Sequence, residues 1–318
     1  MRFLWFAVIG LLFAFSAHAN GKGLEILVTI SPIYSLVKNV SGDLNNVNLL
    51  ISSNASPHHY QLKPSDAKKI AMADVIFIVD ENFEIFLTTS LSNEKKKKLI
   101  ALSAAKNIKL LPSRKEVHTL GFIEHNHDHE HEHEHDHNCN HHSHGNMDLH
   151  YWASPYNAKA IIHKIAEDLS NLDPDNKQIY SANANSAVIK IDQMDQKITS
   201  LLAGLQDKKF LVFHDGYQYF EEYYHLHNAG TVVNDHNSGY GAKTFNNLAN
   251  IIEKEKIQCI FAEPEFSPHL VNKIAKSSGI KVEYMDIEGA NLIKHSTPEN
   301  LYFSMMEQNA VNFAKCLK

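Results

Sequence analysis

The sequence DPDNKQIYSANANSAVIKIDQMDQKITSLLAGL (residues 173–205) carries an apolar side chain at every third or fourth position along one helical face. Asp173 and Pro174 supply a start signal for the helix. At 1.5 Å per residue, about 32 residues of helix span about 48 Å, which is longer than one small lobe needs. We therefore predict one long, rigid helix that runs between two lobes. Its apolar positions are Tyr180, Ala184, Ala187, Ile191, Met194, Ile198, Leu201 and Leu205.

Short apolar runs alternate with amphipathic segments on both sides of this helix. The run from Val75 to Val79 contains no polar residue, which is typical of a strand buried on both faces of a parallel sheet. The alternation predicts an α/β fold with two lobes, each with a mostly parallel sheet. The predicted strands are Leu24–Ile30, Val47–Ile51, Asp74–Val79, Leu99–Leu102, Phe210–Phe213, Thr231–Val233, Ile257–Ala262 and Val282–Met285. The predicted helices include Pro64–Met72, Pro155–Leu172, Tyr217–Tyr224, Phe245–Glu255, Pro268–Ser278 and Pro298–Leu317.

Residues 1–19 have the features of a secretory signal peptide. Arg2 is followed by a mostly apolar run to Phe15 and then by Ala17-His18-Ala19, an A-x-A cleavage site. The apolar run is short for a membrane span, although an uncleaved anchor is an alternative. We expect cleavage, export to the periplasm and a soluble mature chain. It would comprise a first lobe (20–172), the linking helix (173–205) and a second lobe (206–318).

The charge balance bears on the class of partner. The chain has 30 basic and 36 acidic side chains and a formal charge of −6, which becomes −7 when Arg2 leaves with the signal peptide. A mildly acidic chain is a poor candidate for binding nucleic acid. We expect no nucleic-acid partner, and we expect a monomer.

A His-rich segment covers residues 118–148. Its part from His125 to His144 has almost no apolar residue, which predicts a mobile loop outside the core. Imidazoles alternating with carboxylates offer weak, exchangeable positions for a borderline divalent cation, zinc above all. A purification tag is the alternative, but tags lie at termini and lack interleaved acids. The ten histidines assigned to this auxiliary loop, of 22 in the chain, are His125, His127, His129, His131, His133, His135, His137, His141, His142 and His144.

Other histidines lie where ligands bind in open α/β sheets, beyond the carboxyl ends of the strands. His58 follows the second predicted strand, His214 directly follows Phe210–Phe213, and His150 lies where ordered sequence resumes after the His-rich loop. Three neutral imidazoles with one carboxylate or water make a tetrahedral zinc site. We predict that these three residues bind a metal ion in the cleft between the lobes.

Two alternatives stay open at this site. Each histidine alone is as well explained as a polar residue at the end of a strand, and His59 could replace its neighbour His58. Asp286 and Glu263 also follow predicted strands directly and would face the same cleft.

The three cysteines allow one disulfide in an exported chain. Cys139 lies in the predicted loop, Cys259 in an apolar run, and Cys316 at the end of an amphipathic helix. We predict that Cys259 pairs with Cys316 and so pins the terminal helix to a strand, although sequence alone does not fix that geometry.

Four segments resemble signatures of the metal-binding receptors of bacterial ABC importers, the cluster A-I solute-binding proteins. The order of these segments, the signal peptide and the His-rich insertion are similar to the zinc (ZnuA-like) receptors of this family over nearly the whole mature chain. The segments are Ala55–Asp66, His150–Pro155, Val212–Phe220 and Phe261–Phe266.

The resemblance implies a function and a set of ligands. A receptor of this kind captures Zn²⁺ and delivers it to the inner-membrane permease and ATPase of an importer, without catalysis. His58, His150 and His214 would be the ligands, and Asp286 matches a carboxylate ligand of the manganese and iron receptors. Some zinc receptors have an acidic residue where this chain has Pro57, so the fourth ligand would be water or Asp286. The resemblance also supports the Cys259–Cys316 disulfide.

Alternative functions differ in metal or in class. Manganese or another divalent metal could be the cargo of the same fold, but three imidazoles favour zinc over manganese. A zinc hydrolase could also use three histidines, with Asp215 or Glu263 as general base, but no H-E-x-x-H helix is present. A surface adhesin of the same fold would be favoured by a lipoprotein cysteine after the signal, where this chain has Asn20.

Overall fold

The structure is a computed structural model that describes residues 23–51, 55–92, 96, 98–114, 147–232, 242–264 and 268–318. The predicted signal peptide, the ten histidines of the His-rich loop and Cys139 lie outside these ranges. Within the described ranges, every helix is too short or too polar to cross a membrane.

The first lobe contains a four-stranded sheet in which every neighbouring pair is parallel. Its strands are β1 (Glu25–Val28), β2 (Asn46–Leu49), β3 (Val75–Ile78) and β4 (Leu99–Ala101), and its helices are α1 (Ser31–Ser41), α2 (Pro64–Met72), α3 (Ile85–Thr88) and α4 (Pro155–Leu172). The order in the sheet is β2–β1–β3–β4, and the central strand β3 is buried throughout, as its apolar run predicts. Helices α2 and α4 begin at the predicted prolines. The proline ring fixes φ near the helical value, and the first N–H of a helix has no partner within the helix, so its absence in proline removes no hydrogen bond.

A two-stranded antiparallel ribbon joins the first lobe to the site. It pairs β5 (Leu111–Pro112) with β6 (Met147–Asp148). The sequence predicts neither strand and places Met147 and Asp148 in the His-rich loop. Two-residue strands are too short to leave a periodic pattern, so this ribbon is visible only through its contacts in the fold.

The long helix α5 runs from Lys177 to Leu202, over 26 residues, after a 3-10 turn at Pro174–Asn176. It ends three residues before the predicted end, and Gly204 follows with a positive φ of 78°, a conformation that stops helices. The predicted apolar positions within it are buried except Leu201, which is half-buried. The helix packs against α1 and α4 of the first lobe and against the C-terminal helix Leu301–Leu317, so it contacts both halves of the molecule.

The second lobe repeats the parallel arrangement. Its strands are β7 (Lys209–Val212), β8 (His227–Thr231), β9 (Cys259–Ala262) and β10 (Lys281–Tyr284), and its helices are α6 (Gln218–Tyr224), α7 (Ala242–Glu255), α8 (Pro268–Ser278) and α9 (Leu301–Leu317). The order is β10–β9–β7–β8. Together the two sheets and α5 confirm the α/β fold of two lobes joined by one long helix.

One strand prediction is wrong in position. The expected strand at Thr231–Val233 is instead β8, which begins at His227 and lies at the edge of the sheet. Its first residues are polar or small, so backbone pairing with β7, and not an apolar run, determines where it forms. The pairing shifts register next to Gly230, whose N–H donates to the Asn228 side chain at 2.8 Å.

One apolar core extends through both lobes. It runs from the first sheet along the buried face of α5 to Phe210, Phe261 and Phe313 in the second lobe. A smaller core covers the other face of the second sheet, where Leu211 and Ile260 pack under α7 and α8. The two lobes therefore share a core and do not form two separate ones.

The disulfide joins Cys259 in β9 to Cys316 near the end of α9, with Cα atoms 6.0 Å apart. This confirms the predicted pairing. The other end of α9 returns to the first lobe, where the Tyr302 N–H donates to Ser35 Oγ and Asn39 donates to the Glu299 carbonyl. The terminal helix is thus fixed to both lobes.

Candidate metal centre

Three loops at the carboxyl ends of the sheets bring three histidines together. His58 lies in a 3-10 turn, Pro57–His59, after β2. His150 follows β6 and precedes the turn that leads into α4, and His214 lies two residues beyond β7. His59 is adjacent in this turn, but its side chain is outside the part that the structure describes.

The three imidazoles point at one another through Nε2. His150 Nε2 lies 3.3 Å from His58 Nε2 and 3.3 Å from His214 Nε2, and ligand atoms of all three lie within 4.8 Å of one another. Two nitrogens bound at about 2.05 Å to a tetrahedral ion lie about 3.3 Å apart. Each of the two Nε2–Nε2 distances from His150 is therefore the distance expected between two nitrogen ligands of one zinc ion.

Asp148 supports His150 from the ribbon. Its Oδ1 lies 2.8 Å from His150 Nδ1 and accepts the His150 backbone N–H at 2.9 Å. Both side chains are buried, and His150 is 7% exposed. The ring of His150 is therefore held at its Nδ1 side, and Nε2 is directed to the cleft.

Glu263 supports His214 in the same way from the second lobe. Its two carboxylate oxygens lie 2.9 and 3.1 Å from His214 Nδ1, and it is 1% exposed directly after β9. Gly216 leaves room for the ring, because a Cβ there would lie 2.4 Å from His214 Cε1 and 2.9 Å from Nε2. The sequence His214-Asp215-Gly216 thus lets the backbone lie against the imidazole.

These contacts determine which nitrogen is available. When each Nδ1–H donates to its carboxylate, Nε2 of His150 and Nε2 of His214 both carry lone pairs. Two lone pairs 3.3 Å apart repel each other unless a cation lies between them. Carboxylates behind metal-binding imidazoles fix the tautomer and raise the basicity of the ligand. The arrangement is therefore suited to bind a divalent cation through Nε2.

His58 has a different environment. It is exposed, and its ring packs edge-on against Phe83 with centroids 4.9 Å apart. Phe83 also contacts the rings of His150 and Trp152, at 5.8 and 5.5 Å. An apolar ring therefore forms one wall beside two of the histidines.

Glu84 holds the turn that presents this wall. Its carboxylate accepts the Thr29 hydroxyl at 2.6 Å and the N–H groups of Val79 and Asp80 at 3.0 and 3.1 Å. Burial raises the pKa of Glu84 to about 7, although these hydrogen bonds lower it. Glu84 thus fixes the residues next to Phe83, although burying its carboxylate is unfavourable.

Asp286 lies outside the group that the three histidines form. It follows β10, and its carboxylate accepts the N–H groups of Ala290 at 3.1 Å and Asn291 at 2.9 Å. Burial raises the pKa of this carboxyl, although the two N–H groups lower it. Its role as a fourth ligand stays a prediction.

Two side chains near the histidines are not among the residues predicted for the site. Asp148 falls within the predicted His-rich loop, and its only signal is the Asp-x-His spacing to His150. Arg114 donates from the end of the ribbon to Asp215 and Glu221 in the second lobe. No local pattern predicts a bond between residues so far apart in sequence.

The two lobes are also bonded beside the site. Trp152 Nε1 donates to the Ile287 carbonyl at 3.0 Å, and the Tyr302 hydroxyl donates to the Trp152 carbonyl at 2.9 Å. All these groups are buried. His150 is thus two residues from a junction between the lobes.

Known proteins resemble the chain over nearly its full length. The family model described as "ZnuA: Zinc-uptake complex component A periplasmic" matches residues 26–316. The high-affinity zinc uptake system protein ZnuA of Haemophilus ducreyi is 33% identical over 295 residues, which cover 92% of this chain and 93% of that protein.

Two solved structures share the fold. The crystal structure of a ZnuA has a TM-score of 0.73 at 23% identity and covers 93% of this chain and 100% of that one. Zn(II)-bound AdcA from Streptococcus pneumoniae has a TM-score of 0.70 at 25% identity, and the match covers 93% of this chain and 58% of that one.

Proposed function

Since the chain belongs to the ZnuA family, we propose that it is a periplasmic receptor that captures Zn²⁺ between its lobes and delivers it to an ABC importer. The observation that supports this most directly is the convergence of three Nε2 atoms, with both spacings around His150 at 3.3 Å. ZnuA-family proteins work with the permease and ATPase components of ABC transporters and are not enzymes. The inner-membrane permease of such an importer would be the partner of this chain.

In this proposal the zinc ligands are His58, His150 and His214. The fourth position is filled by water or by Asp286. Because the carboxylate of Asp286 already accepts two backbone N–H groups, it would have to give up part of that bonding to reach the ion. The His-rich loop would hold further zinc ions weakly and raise their concentration near the site.

Zinc fits the three imidazoles better than manganese does. Imidazole nitrogen suits zinc, whereas manganese prefers more oxygen ligands. Within the described residues, the group that could hold a metal contains histidines alone. The expected preference is therefore zinc over manganese.

Neither of the two carboxylates that the hydrolase alternative would use as a general base is free. Glu263 lies against His214 Nδ1, and Asp215 is paired with Arg114. Both carboxylates proposed for that role are therefore engaged in holding other side chains. A receptor needs no such base, because it leaves its cargo chemically unchanged.

Loading with mixed metals tests the proposal. Metal-free protein is exposed to zinc, manganese and nickel in equal amounts, and bound metal is measured by mass spectrometry. The same experiment is repeated on a variant in which residues 118–144 are replaced by a short Gly-Ser linker, which spares the ribbon. We expect one tightly bound zinc ion in both proteins and fewer weakly bound ions in the variant. Preferential manganese loading, or loss of tight binding with the loop, would reject the assignment.

A further inference from the structure

The ribbon of β5 and β6 is bonded to helix α6 of the second lobe. The Leu111 N–H donates to the Tyr219 hydroxyl at 2.7 Å. That hydroxyl in turn donates to the Asp148 carbonyl at 2.6 Å. One tyrosine of the second lobe thus bonds both strands of the ribbon.

Arg114 extends this connection two residues beyond β5. Its guanidinium donates to both carboxylate oxygens of Asp215, through Nε at 3.1 Å and through Nη2, and its Nη1 donates to Glu221 Oε2 at 2.7 Å. The Asn228 side chain donates to the other Glu221 oxygen at 2.9 Å. A guanidinium fork that holds two carboxylates at once has a defined direction as well as charge.

The ion cluster is largely removed from solvent. Glu221 is 4% exposed, and the side chains of Arg114 and Asp215 are each 25% exposed. Ion pairs in such positions are weakly screened, so the loss of one partner leaves an uncompensated charge. Arg114 is therefore more than a surface charge.

The same ribbon reaches two of the three histidines. Asp148 in β6 lies against His150 Nδ1. Arg114, beyond β5, donates hydrogen bonds to Asp215, and Asp215 directly follows His214 in the chain. One short element thus fixes the first-lobe histidine on one side and the loop of the second-lobe histidine on the other.

We propose that Arg114 is a positioning residue that keeps His214 in register with His150 and so slows the release of the bound metal. This inference rests on the proposed function, since it assigns a role in metal retention. Arg114 acts through Asp215 and does not contact the ion. We expect its effect on the dissociation rate to exceed that on the association rate, because Arg114 lies behind His214 and the exposed histidine is His58.

Zinc dissociation into excess chelator tests this role in the full-length protein. For Arg114→Gln we expect dissociation about tenfold faster, at the lower end of effects from residues that support ligands. Arg114→Lys keeps the charge but loses the fork, so it should restore part of the slow release. Lys164→Gln is the matched control, because it removes one charge from the Lys164–Asp168 pair within α4, away from the ribbon.

A second variant guards against misfolding. Arg114→Gln leaves Glu221 buried without its cation, whereas Arg114→Gln with Glu221→Gln removes both charges. The melting temperature of the metal-free double variant should stay near the wild-type value while release stays fast. In metal-free Arg114→Gln, faster hydrogen exchange at the Leu111 N–H should report the loosened ribbon.

The outcomes separate the two proposals. Wild-type release from a folded Arg114→Gln variant, or an equal change in Lys164→Gln, would overturn the positioning role alone. A wild-type protein that binds no zinc tightly would overturn the proposed function and this inference with it. Faster release from Arg114→Gln, together with slower release from Arg114→Lys than from Arg114→Gln, supports both proposals.

Discussion

His150 and His214 are held differently from His58. The first two are buried, at 7% and 9% exposure, and each has a carboxylate at Nδ1. His58 is exposed and packs against the ring of Phe83. In the proposed zinc site, we therefore expect His150 and His214 to form a preformed pair of ligands and His58, nearer the solvent, to complete it.

Alanine substitution of each histidine should give the largest change in zinc affinity and tests this comparison directly. If about 10–16 kcal/mol of metal binding is shared by four ligands, one imidazole contributes about 2.5–4 kcal/mol, or about 60- to 800-fold in affinity. We expect losses of that size for His150→Ala and His214→Ala. The loss should be smaller for His58→Ala, because water can replace an exposed ligand. Zinc competition titrations give the three values, and an equal or larger loss at His58 would contradict the comparison.

The next test removes a charge behind the buried pair. Glu263→Gln keeps the shape of the side chain but not the negative charge that holds His214 Nδ1–H, so zinc affinity should fall about 10- to 100-fold. Asp148→Asn should act similarly through His150. Glu307→Gln is the control, because Glu307 pairs with Lys197 at the surface. Wild-type affinity in both site variants would show that the carboxylates do not support the ligands.

A smaller effect is expected from crowding His214. Gly216 does not have a positive φ, so alanine is compatible with its backbone. The added Cβ would nevertheless overlap the imidazole. Overpacking of about 1–3 kcal/mol predicts about tenfold weaker zinc binding for Gly216→Ala. Calorimetric titration measures this change, and an unchanged affinity with an unchanged melting temperature would mean that the ring has room to move.

The smallest effect on the metal should come from Glu84, behind Phe83. Its pKa of about 7 in the folded state lies above the ordinary 4.5. The folded protein therefore binds this proton more readily than the unfolded chain does, and the contribution of Glu84 to the free energy of unfolding falls as pH rises from about 4.5 to 7.

Glu84→Gln should remove that pH dependence, which amounts to a change on the order of 3 kcal/mol. Zinc affinity should change only a few-fold, through Phe83 and His58. Denaturant unfolding of both metal-free proteins between pH 4.5 and 7.5 gives the difference. A constant difference across this range would contradict the raised pKa.

The sequence predicts the architecture well where the signal is local. Prolines 64, 155 and 268 begin helices as predicted, and the apolar run at β3 is a buried central strand. His58 and His214 are predictable because each follows a recognisable strand, and His150 because ordered sequence resumes there after the His-rich loop.

What the sequence does not predict depends on contacts between distant segments. Strand β8 forms by pairing with β7 and not from its own polar residues. The ribbon, Asp148 and Arg114 act through partners in other elements, such as Glu221 across 107 positions. Spacing patterns in the sequence describe one helix or strand at a time. They therefore cannot predict contacts that join the two lobes.

The shared core and the doubly fixed terminal helix resist a large swing of the lobes. Scattering curves of the zinc-free and zinc-loaded protein should therefore nearly coincide. If the overall shape of the receptor hardly changes when zinc binds, an importer distinguishes zinc-loaded receptors from empty ones only through small displacements near the cleft. Empty receptors would then compete for the same docking position, so import should slow whenever the receptor outnumbers its metal.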